Sequence, residues 1–503
     1  MSSSQLLVVL DRASPVSLQQ QLCEQISGSV RSGRLRPGDP VPPSRELAYQ
    51  LGVSRTVVTR AYELLRAKGV LASRRGSGTR VSGHLPEARR EAGPAVRAPL
   101  RPEPPLPTDA GSPLWKPWEP APMQRPQPAY DFRHGTPALA SFPVTRWRQA
   151  LAEAVSRADT AALGYGPAEG APELRAQIAA LLRRSRAFGA APEQTVVTSG
   201  ATQAMDILVR LLVGPDEVVV IEDPSHTVLR QIFGYSRAAV VPVPVDEEGL
   251  LVDEISDRVR AQGHHPARVR LVYVTPSHQF PTGFVMSQRR RRALLRWAHA
   301  HGATVLEDDY HNEFSFGPER LSAVAADPQD ADVVYVGSFS KTLFPSLRIG
   351  YAVLPPHLVR PFLGVKWITD RLTPTVTQLA LAEFVDSGAY ARHIGRMDRL
   401  YRQRRARLLE ALYRHFGAGV RISGAAAGLH VLVSLSDLPV PDEAQIVRAA
   451  AARGLQIYPA SGYFAIRPPV EPTFLIGYAA LSTTRITEGV ALLAAAVREV
   501  TAR

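Results

Sequence analysis

The sequence predicts a protein of the α/β class in two folded parts, a small, mostly helical head and a large domain built on a mainly parallel sheet. Three observations predict this. Residues 1–83 are dense in helix-cap and turn signals. From about Tyr130 onward, apolar runs such as QTVVTSG, EVVVIEDP, VRLVYVTP, ATVLEDDY and DVVYVGSFS alternate with helical patterns. Val-rich runs that are continuous rather than alternating mark strands buried on both faces, and helices between them imply parallel connections. Residues 84–129 are rich in Pro, Arg and Ala, as in RPEPPLPTDAGSP. Such a stretch favours extended, solvated backbone and reads as a linker.

The chain's 503 residues exceed one ordinary domain. Lys and Arg number 59 against 46 Asp and Glu, a formal net charge of +13. That excess suits a nucleic-acid partner without requiring one. The single cysteine, Cys23, excludes an intrachain disulfide and a cysteine-based zinc site and fits a reducing compartment. No metal site is expected. No apolar run approaches the roughly 20 residues of a membrane span. The stretch Leu6–Leu10 is too short for a signal peptide and lacks a basic flank, so the cytoplasm is expected.

In the head, Ser17 is placed to cap a helix with Leu18, Leu22, Ile26 and Val30 on one face, ended by Gly33. Pro42 and Pro43 lead to Ser44, a second expected cap, and the short helix RELAYQL. Gly52 supplies a tight turn. Ser54 caps a third helix with Val57, Val58, Ala61, Leu64 and Leu65 turned inward. Ser54, Arg55, Thr56 and Thr59 lie toward its exposed N-terminal end. A helix, a short turn and a second helix with polar N-terminal residues is an arrangement that enters a DNA major groove. LASRRGSGTRVS then reads as two short strands joined through Gly76, Ser77 and Gly78, a β-wing whose Arg74, Arg75 and Arg80 could reach phosphates.

In the large domain, four elements suit one cofactor. Ser340 and Lys341 follow the strand VVYVGSF; a lysine facing a sheet's C-terminal edge can form a Schiff base, and burial frees its amine. EDDY ends the strand ATVL, and Asp308 is assigned beneath a pyridine nitrogen, keeping it protonated, while Tyr310 could donate to the ring's phenolic oxygen. Ser199-Gly200-Ala201-Thr202 lies where a strand turns into a helix, a place where free N–H groups and the helix dipole bind phosphate. Arg348, seven residues beyond Lys341, can hold a phosphate bidentately, and Ser338 can add a hydroxyl.

Over RLRPGDPVPPSRELAYQLGVSRTVVTRAYELLRAKGVLASRRGSGTRV the sequence resembles the winged helix-turn-helix of GntR-type regulators. This resemblance implies DNA contacts by Arg45 and Arg55, helped by Ser54, Thr56 and Thr59, with the wing near Gly78 in the minor groove. From Tyr130 to Arg503, through GYGPAEGAPELRAQIAALLRR, IEDPSH, VTPSHQFPTG and GLHVLVSL, it resembles fold-type I enzymes that use pyridoxal 5′-phosphate (PLP), the aspartate aminotransferase fold. Together the two parts look like the MocR/GabR family. The phrases TPSHQFPTG, EDDYHNEF and SFSKTLFPSLRIGY are close to that family's wording.

The family resemblance implies boundaries of 1–83 for the head, 84–129 for the linker and 130–503 for the PLP domain, with a smaller C-terminal α+β subdomain from about residue 375. It implies that Lys341 is the Schiff-base lysine, that Asp308 pairs with the pyridine nitrogen and Tyr310 with the phenolic oxygen, and that Ser338, Arg348 and the amides of Ala201 and Thr202 hold the phosphate. It also implies a head-to-tail, domain-exchanged homodimer on operator DNA.

Three departures bear on function. His226 in EDPSH stands where a stacking Tyr is typical. Phe280 replaces the Asn that transaminases carry before the Pro of PTG, which removes a hydrogen bond to the phenolic oxygen. In FLIGYA, Leu475 stands where many transaminases place a carboxylate-gripping Arg; Arg467 is the nearest substitute. Without that anchor, transamination is expected to be residual at most, since productive chemistry needs an oriented substrate. The expected function is a PLP-dependent, sequence-specific transcription regulator that senses PLP or an amine through an aldimine on Lys341. The alternatives are a working aminotransferase with a DNA-binding appendage and a degenerate core that only dimerises.

Overall fold

The computed structural model describes residues 8–74, 78–83, 128–236, 238–310, 313–316, 322–327, 331–436 and 443–502. The chain divides into two compact units, Met1–Gly111 and Ser112–Arg503. Residues 84–127 of the expected linker, and Arg75, Gly76 and Ser77 of the wing, lie outside the described residues.

The head consists of α1 (Leu18–Arg31), α2 (Ser44–Leu51), α3 (Arg55–Ala67), β1 (Leu71–Arg74) and β2 (Gly78–Val81). The Ser17 hydroxyl caps α1 by accepting the Gln20 N–H at 3.2 Å. Gly52, at φ +61°, ends α2 in the left-handed region that a residue with a side chain rarely adopts. Leu22, Ile26 and Val30 of α1 meet Val58, Ala61, Tyr62 and Leu65 of α3 and Leu71 and Val81 of the wing in one core. Two expectations shift. Leu64 is 42% exposed, and Tyr62 takes the inward place, because positions 58, 61, 62 and 65 follow the helical stripe. Ser44 is the first helical residue rather than the cap; Pro43 holds the cap position, its carbonyl accepting the Leu47 N–H at 3.0 Å. Ser54 caps α3 by position but makes no side-chain capping bond. Strands β1 and β2 pair antiparallel from Leu71–Val81 to Arg74–Gly78.

In the large unit the strands are β3 (Tyr130–Asp131), β4 (Thr195–Thr198), β5 (Val218–Asp223), β6 (Ala239–Asp246), β7 (Gly249–Leu250), β8 (Val269–Val274), β9 (Thr304–Asp309), β10 (Val333–Ser338) and β11 (Gly350–Val353). The main sheet has the order β4-β11-β10-β9-β8-β5-β6-β7. Strands β10, β9, β8, β5 and β6 are parallel neighbours. Strand β11 runs against both β10 and β4, so β4 points the same way as the parallel set. All five expected runs form strands. The expected set lacked β6, whose AVVPVPVD run carries Pro242 and Pro244. Prolines remove ladder donors, and β6 tolerates them because only the two-residue β7 pairs on its outer side.

A smaller α+β part follows. Its sheet of β12 (Val420–Ser423), β13 (His430–Leu435), β15 (Tyr458–Pro459) and β16 (Thr473–Gly477) has the order β12-β13-β16-β15 and is antiparallel throughout, while β14 (Leu455–Gln456) pairs elsewhere. Its division from the large core differs from a cut near residue 375. The helix Thr375–Asp386 buries Ala380, Leu381 and Phe384 with Trp147, Leu174 and Ile178 in the large core. Strand β3 instead pairs with β14, and Phe132 enters the small core. Apolar periodicity identifies a buried face but does not say which core receives it.

Candidate cofactor site and candidate DNA-binding face

The parallel strands end together, so β9 delivers Asp308 and Tyr310, and β10 delivers Ser338 through Lys341, to one edge of the sheet. Val336 lies opposite Asp308 and Gly337 opposite Asp309. Strand alternation therefore sends Asp308 and Asp309 to opposite faces. Asp309 and Arg186 form a buried ion pair, which Tyr335 joins.

The Lys341 ammonium donates to the Gly135 carbonyl at 2.7 Å. Burial holds its pKa below the ordinary lysine value, against the opposing pull of the Asp308 charge. A lysine held this way releases its proton more readily and becomes a nucleophile. Asp308 Oδ2 accepts the Tyr273 hydroxyl at 2.8 Å. Its Oδ1 is sealed from solvent and has no hydrogen-bond partner among the described residues. Burial pushes the Asp308 pKa up to about 6, against the Tyr273 hydrogen bond and the Lys341 charge. Each of the two groups thus lies within the other's electrostatic reach. A buried acceptor without a donor is costly unless something supplies the donor.

At the end of β4 the chain turns through Gly200, at φ +98°, into the helix Ala201–Leu212. The first-turn N–H groups of Ala201 and Thr202 have no intrahelical acceptor and lie at the positive end of the dipole. Arg348 closes this turn, donating from Nη2 to the Ser199 carbonyl at 2.7 Å. A Cβ at Gly200 would fall 2.9 Å from that nitrogen, so both the φ and the approach of the guanidinium require glycine. Nearby, the Ser338 hydroxyl accepts the Ser340 N–H at 3.1 Å. An amide pair, a guanidinium and a hydroxyl in this setting suit a phosphate dianion.

The His226 ring lies 5.0 Å from that of Phe280 at an interplanar angle of 34°. Its Nδ1 also accepts the Val228 N–H at 3.3 Å, capping the helix Thr227–Tyr235. Burial, then the Lys341 charge, pull its pKa down to about 4, so the ring is neutral at pH 7. The Tyr310 hydroxyl donates to the His278 carbonyl at 2.9 Å, so the expected donor to a phenolic oxygen is here engaged by the main chain. Phe280 is a hub, its ring 5.7 Å from His134, 5.5 Å from His430 and 5.2 Å from Tyr463. Leu475 is wholly buried with Phe280, Leu432 and Ala460. The position at which the sequence pattern would place a transaminase arginine is therefore an apolar plug.

Arg467 lines no pocket with Lys341 or Asp308 among the described residues. It is exposed and lines an open cleft of about 1040 Å³ beside Asp223, Arg421 and Phe464; neither Lys341 nor Asp308 lines that cleft. Two residues of the site escaped sequence reasoning. Tyr273 reads as core in VRLVYV, although a buried phenol needs a partner for its hydroxyl. Gly135, at φ +70°, would place a Cβ 2.8 Å from Lys341 Nζ; the HGTP turn is its only sequence signal.

On the head, Arg45, Ser54, Arg55, Thr56 and Gly78 are exposed and Thr59 is half-buried. Arg45 belongs to the first turn of α2, and Ser54, Arg55 and Thr56 to the start of α3, which is the end of a recognition helix that meets base edges. Arg80 is tied to the Gly38 carbonyl at 2.9 Å.

Comparisons with known proteins bear on both parts. Residues 18–81 match the model for bacterial regulatory proteins of the gntR family, and residues 130–493 match that for aminotransferase class I and II. The uncharacterized HTH-type transcriptional regulator YdeL of Bacillus subtilis is 33% identical over 97% of this chain and 98% of its own length. The probable rhizopine catabolism regulatory protein MocR of Rhizobium meliloti is 34% identical over 96% of this chain and 94% of its own. The chain belongs to the MocR/GabR family. In this family the GntR-type head precedes the aminotransferase fold in a single chain. That fold is shared with the Pyrococcus horikoshii kynurenine aminotransferase solved in complex with PMP, with a TM-score of 0.67 and 29% identity over 74% of this chain and 91% of that one. Among the described residues of this family member, no helix is long and apolar enough to cross a membrane.

Proposed function

We propose that this chain is a cytoplasmic, sequence-specific transcription regulator that binds operator DNA through its head and reads the state of PLP through Lys341. One observation carries the reading: half-buried Asp308, one oxygen of which is sealed and unpartnered among the described residues, ends β9 beside β10, the strand that leads into Lys341, in a chain that also carries a GntR-type head. PLP is the cofactor, and the residues present fit it. Asp308 Oδ1 suits the protonated pyridine nitrogen, and Ser338, Arg348 and the amides of Ala201 and Thr202 suit the phosphate. Lys341 supplies the amine, while His226 and Tyr310 wall the ring. When bound, the group supplies an aldehyde reactive toward amines and an electron-withdrawing ring.

On the head, Arg45, Arg55, Ser54, Thr56 and Thr59 are assigned to the major groove and Gly78 to the minor groove, in a head-to-tail homodimer. The effector is PLP itself or a small amine. A regulator needs only differential affinity between two states, whereas transamination needs an anchored carboxylate. Leu475 provides no such anchor, and Arg467 lines a cleft that neither Lys341 nor Asp308 lines. The retained Lys341 and Asp308 favour a second reading, a working aminotransferase with a DNA-binding appendage.

Gel shifts on the gene's own upstream region, with and without PLP, test the proposal. A specific complex whose affinity changes with PLP is expected. Equal, non-specific retardation in both conditions would defeat it. Catalytic release of oxo acid from amino acids would favour the second reading.

A further inference from the structure

Behind the phosphate-type turn lies a charged pair that the site described above does not use. Lys366, in the last turn of the helix Pro356–Thr369, is completely buried. Its ammonium donates to Asp370 Oδ1 at 2.8 Å and lies 3.4 Å from Thr373 Oγ1. Burial lowers its pKa, against the pull of Asp370. Burying an ammonium is costly, and a pair of this kind is weak evidence for stability by itself.

The other oxygen of the same carboxylate leads to the turn. Asp370 Oδ2 accepts the Ser199 hydroxyl at 3.1 Å, and the Ser199 carbonyl accepts Arg348 Nη2 at 2.7 Å. Ser199 is also fixed by its own N–H, which donates to Gln203 Oε1 at 2.7 Å. The residue before Gly200 is thus held from three sides, and one of them leads to a buried cation. A second branch runs from Thr373. Its carbonyl accepts Gln378 Nε2 at 2.6 Å, and Gln378 Oε1 accepts the Ala171 N–H at 2.8 Å.

We propose that Lys366 and Asp370 are positioning residues for the phosphate-binding turn, acting through Ser199 on the carbonyl that aims Arg348. This rests on the PLP reading of the site. Lys366 neutralises Asp370, so the carboxylate can orient Ser199 without repelling the nearby dianion. With Lys366 removed, Asp370 becomes an uncompensated negative charge close to where the phosphate binds. The alternative role is a staple that only fastens the end of the helix to Thr373. The two differ in one respect: a staple is indifferent to whether the ligand carries a phosphate.

The experiment compares PLP with pyridoxal, which has the aldehyde and ring but no phosphate, on full-length protein stripped of cofactor. Binding is read from the visible absorbance of the lysine–cofactor linkage, and melting temperature is recorded alongside. Ser199→Ala breaks only the relay and leaves the Lys366–Asp370 pair intact. It should lower the melting temperature of the cofactor-free protein modestly, by the weight of one hydrogen bond to a charged group, leave pyridoxal affinity unchanged, and weaken PLP about tenfold because the turn and Arg348 are no longer aligned for the phosphate. Lys366→Met should weaken PLP further, and Lys366→Met with Asp370→Asn should recover part of the loss. A PLP-to-pyridoxal affinity ratio unchanged in Ser199→Ala overturns the relay even if Lys366→Met fails to fold. If the parent protein forms no linkage with either aldehyde, the cofactor reading falls and takes the relay with it. A normal parent with an unchanged ratio sinks the relay alone.

Discussion

Replacing Asp308 with Asn should make the cofactor-free large unit more stable at neutral pH. The Asp308 pKa rises from an ordinary 3.8 to about 6, chiefly through burial. The folded state therefore holds this proton more tightly than the unfolded chain does. Below pH 3.8 both states are protonated and the site carries no electrostatic burden. As pH rises through about 6 the folded state must bury a charge, and the stability present at acid pH is lost. The gap between 3.8 and about 6, at about 1.4 kcal/mol per pH unit, sets a ceiling of about 3 kcal/mol. Asparagine keeps an acceptor for the Tyr273 hydroxyl and removes the charge. The head has no tryptophan, whereas Trp147, Trp297 and Trp367 belong to the described large unit, so the fluorescence change in urea reports the large unit without the head. Asp308→Asn should exceed the parent by up to about 3 kcal/mol at pH 8 and match it near pH 4. Saturating PLP should then stabilise the parent far more than the variant. A variant less stable than the parent at pH 8, or a gap independent of pH, would refute the reasoning.

Lys341→Ala should abolish the visible absorbance formed with PLP while leaving the operator affinity of the cofactor-free protein within a few-fold, because Lys341 belongs to the large compact unit and the winged helix to the other; absorbance titration and gel shifts read the two effects. Gly200→Ala should lower PLP affinity by about tenfold or more, since alanine resists φ +98° and its Cβ would meet Arg348 Nη2 at 2.9 Å; a spectroscopic titration checks it. Leu475→Arg should destabilise the large unit by about 3–5 kcal/mol, through a guanidinium buried without a partner beside Phe280 and Ala460, and should confer no turnover. A folded Leu475→Arg protein that transaminates would contradict the apolar-plug account.

Much of this architecture was legible because its signals are local. A Val-rich run between turn residues forms a buried strand almost regardless of context, so β4, β5, β8, β9 and β10 could be placed from sequence. Lys341, Asp308, Gly200 and Arg348 sit at strand ends or turns, where chain order alone fixes their edge of the sheet. The features that escaped depend on distant contacts. Tyr273 looks like core until β8 is laid beside β9, and Gly135 matters only because Lys341, some two hundred residues away, reaches its carbonyl. The two prolines of β6 are tolerated only because its outer side is nearly unpaired, a fact of sheet order rather than of local sequence. Leu64 was misplaced by one helical position, and Phe132 joins a core formed mostly by the far end of the chain. Lys366 gave no signal at all, because a lysine in a helix's last turn ordinarily faces solvent.

The most direct test of the account is covalent. The full-length protein, supplied with PLP and reduced with borohydride, is digested and its peptides are weighed. A phosphopyridoxyl mass on Lys341, abolished by Lys341→Ala, is the predicted result. An unmodified Lys341, or a label on another lysine, would contradict the central claim that the large unit carries its cofactor there.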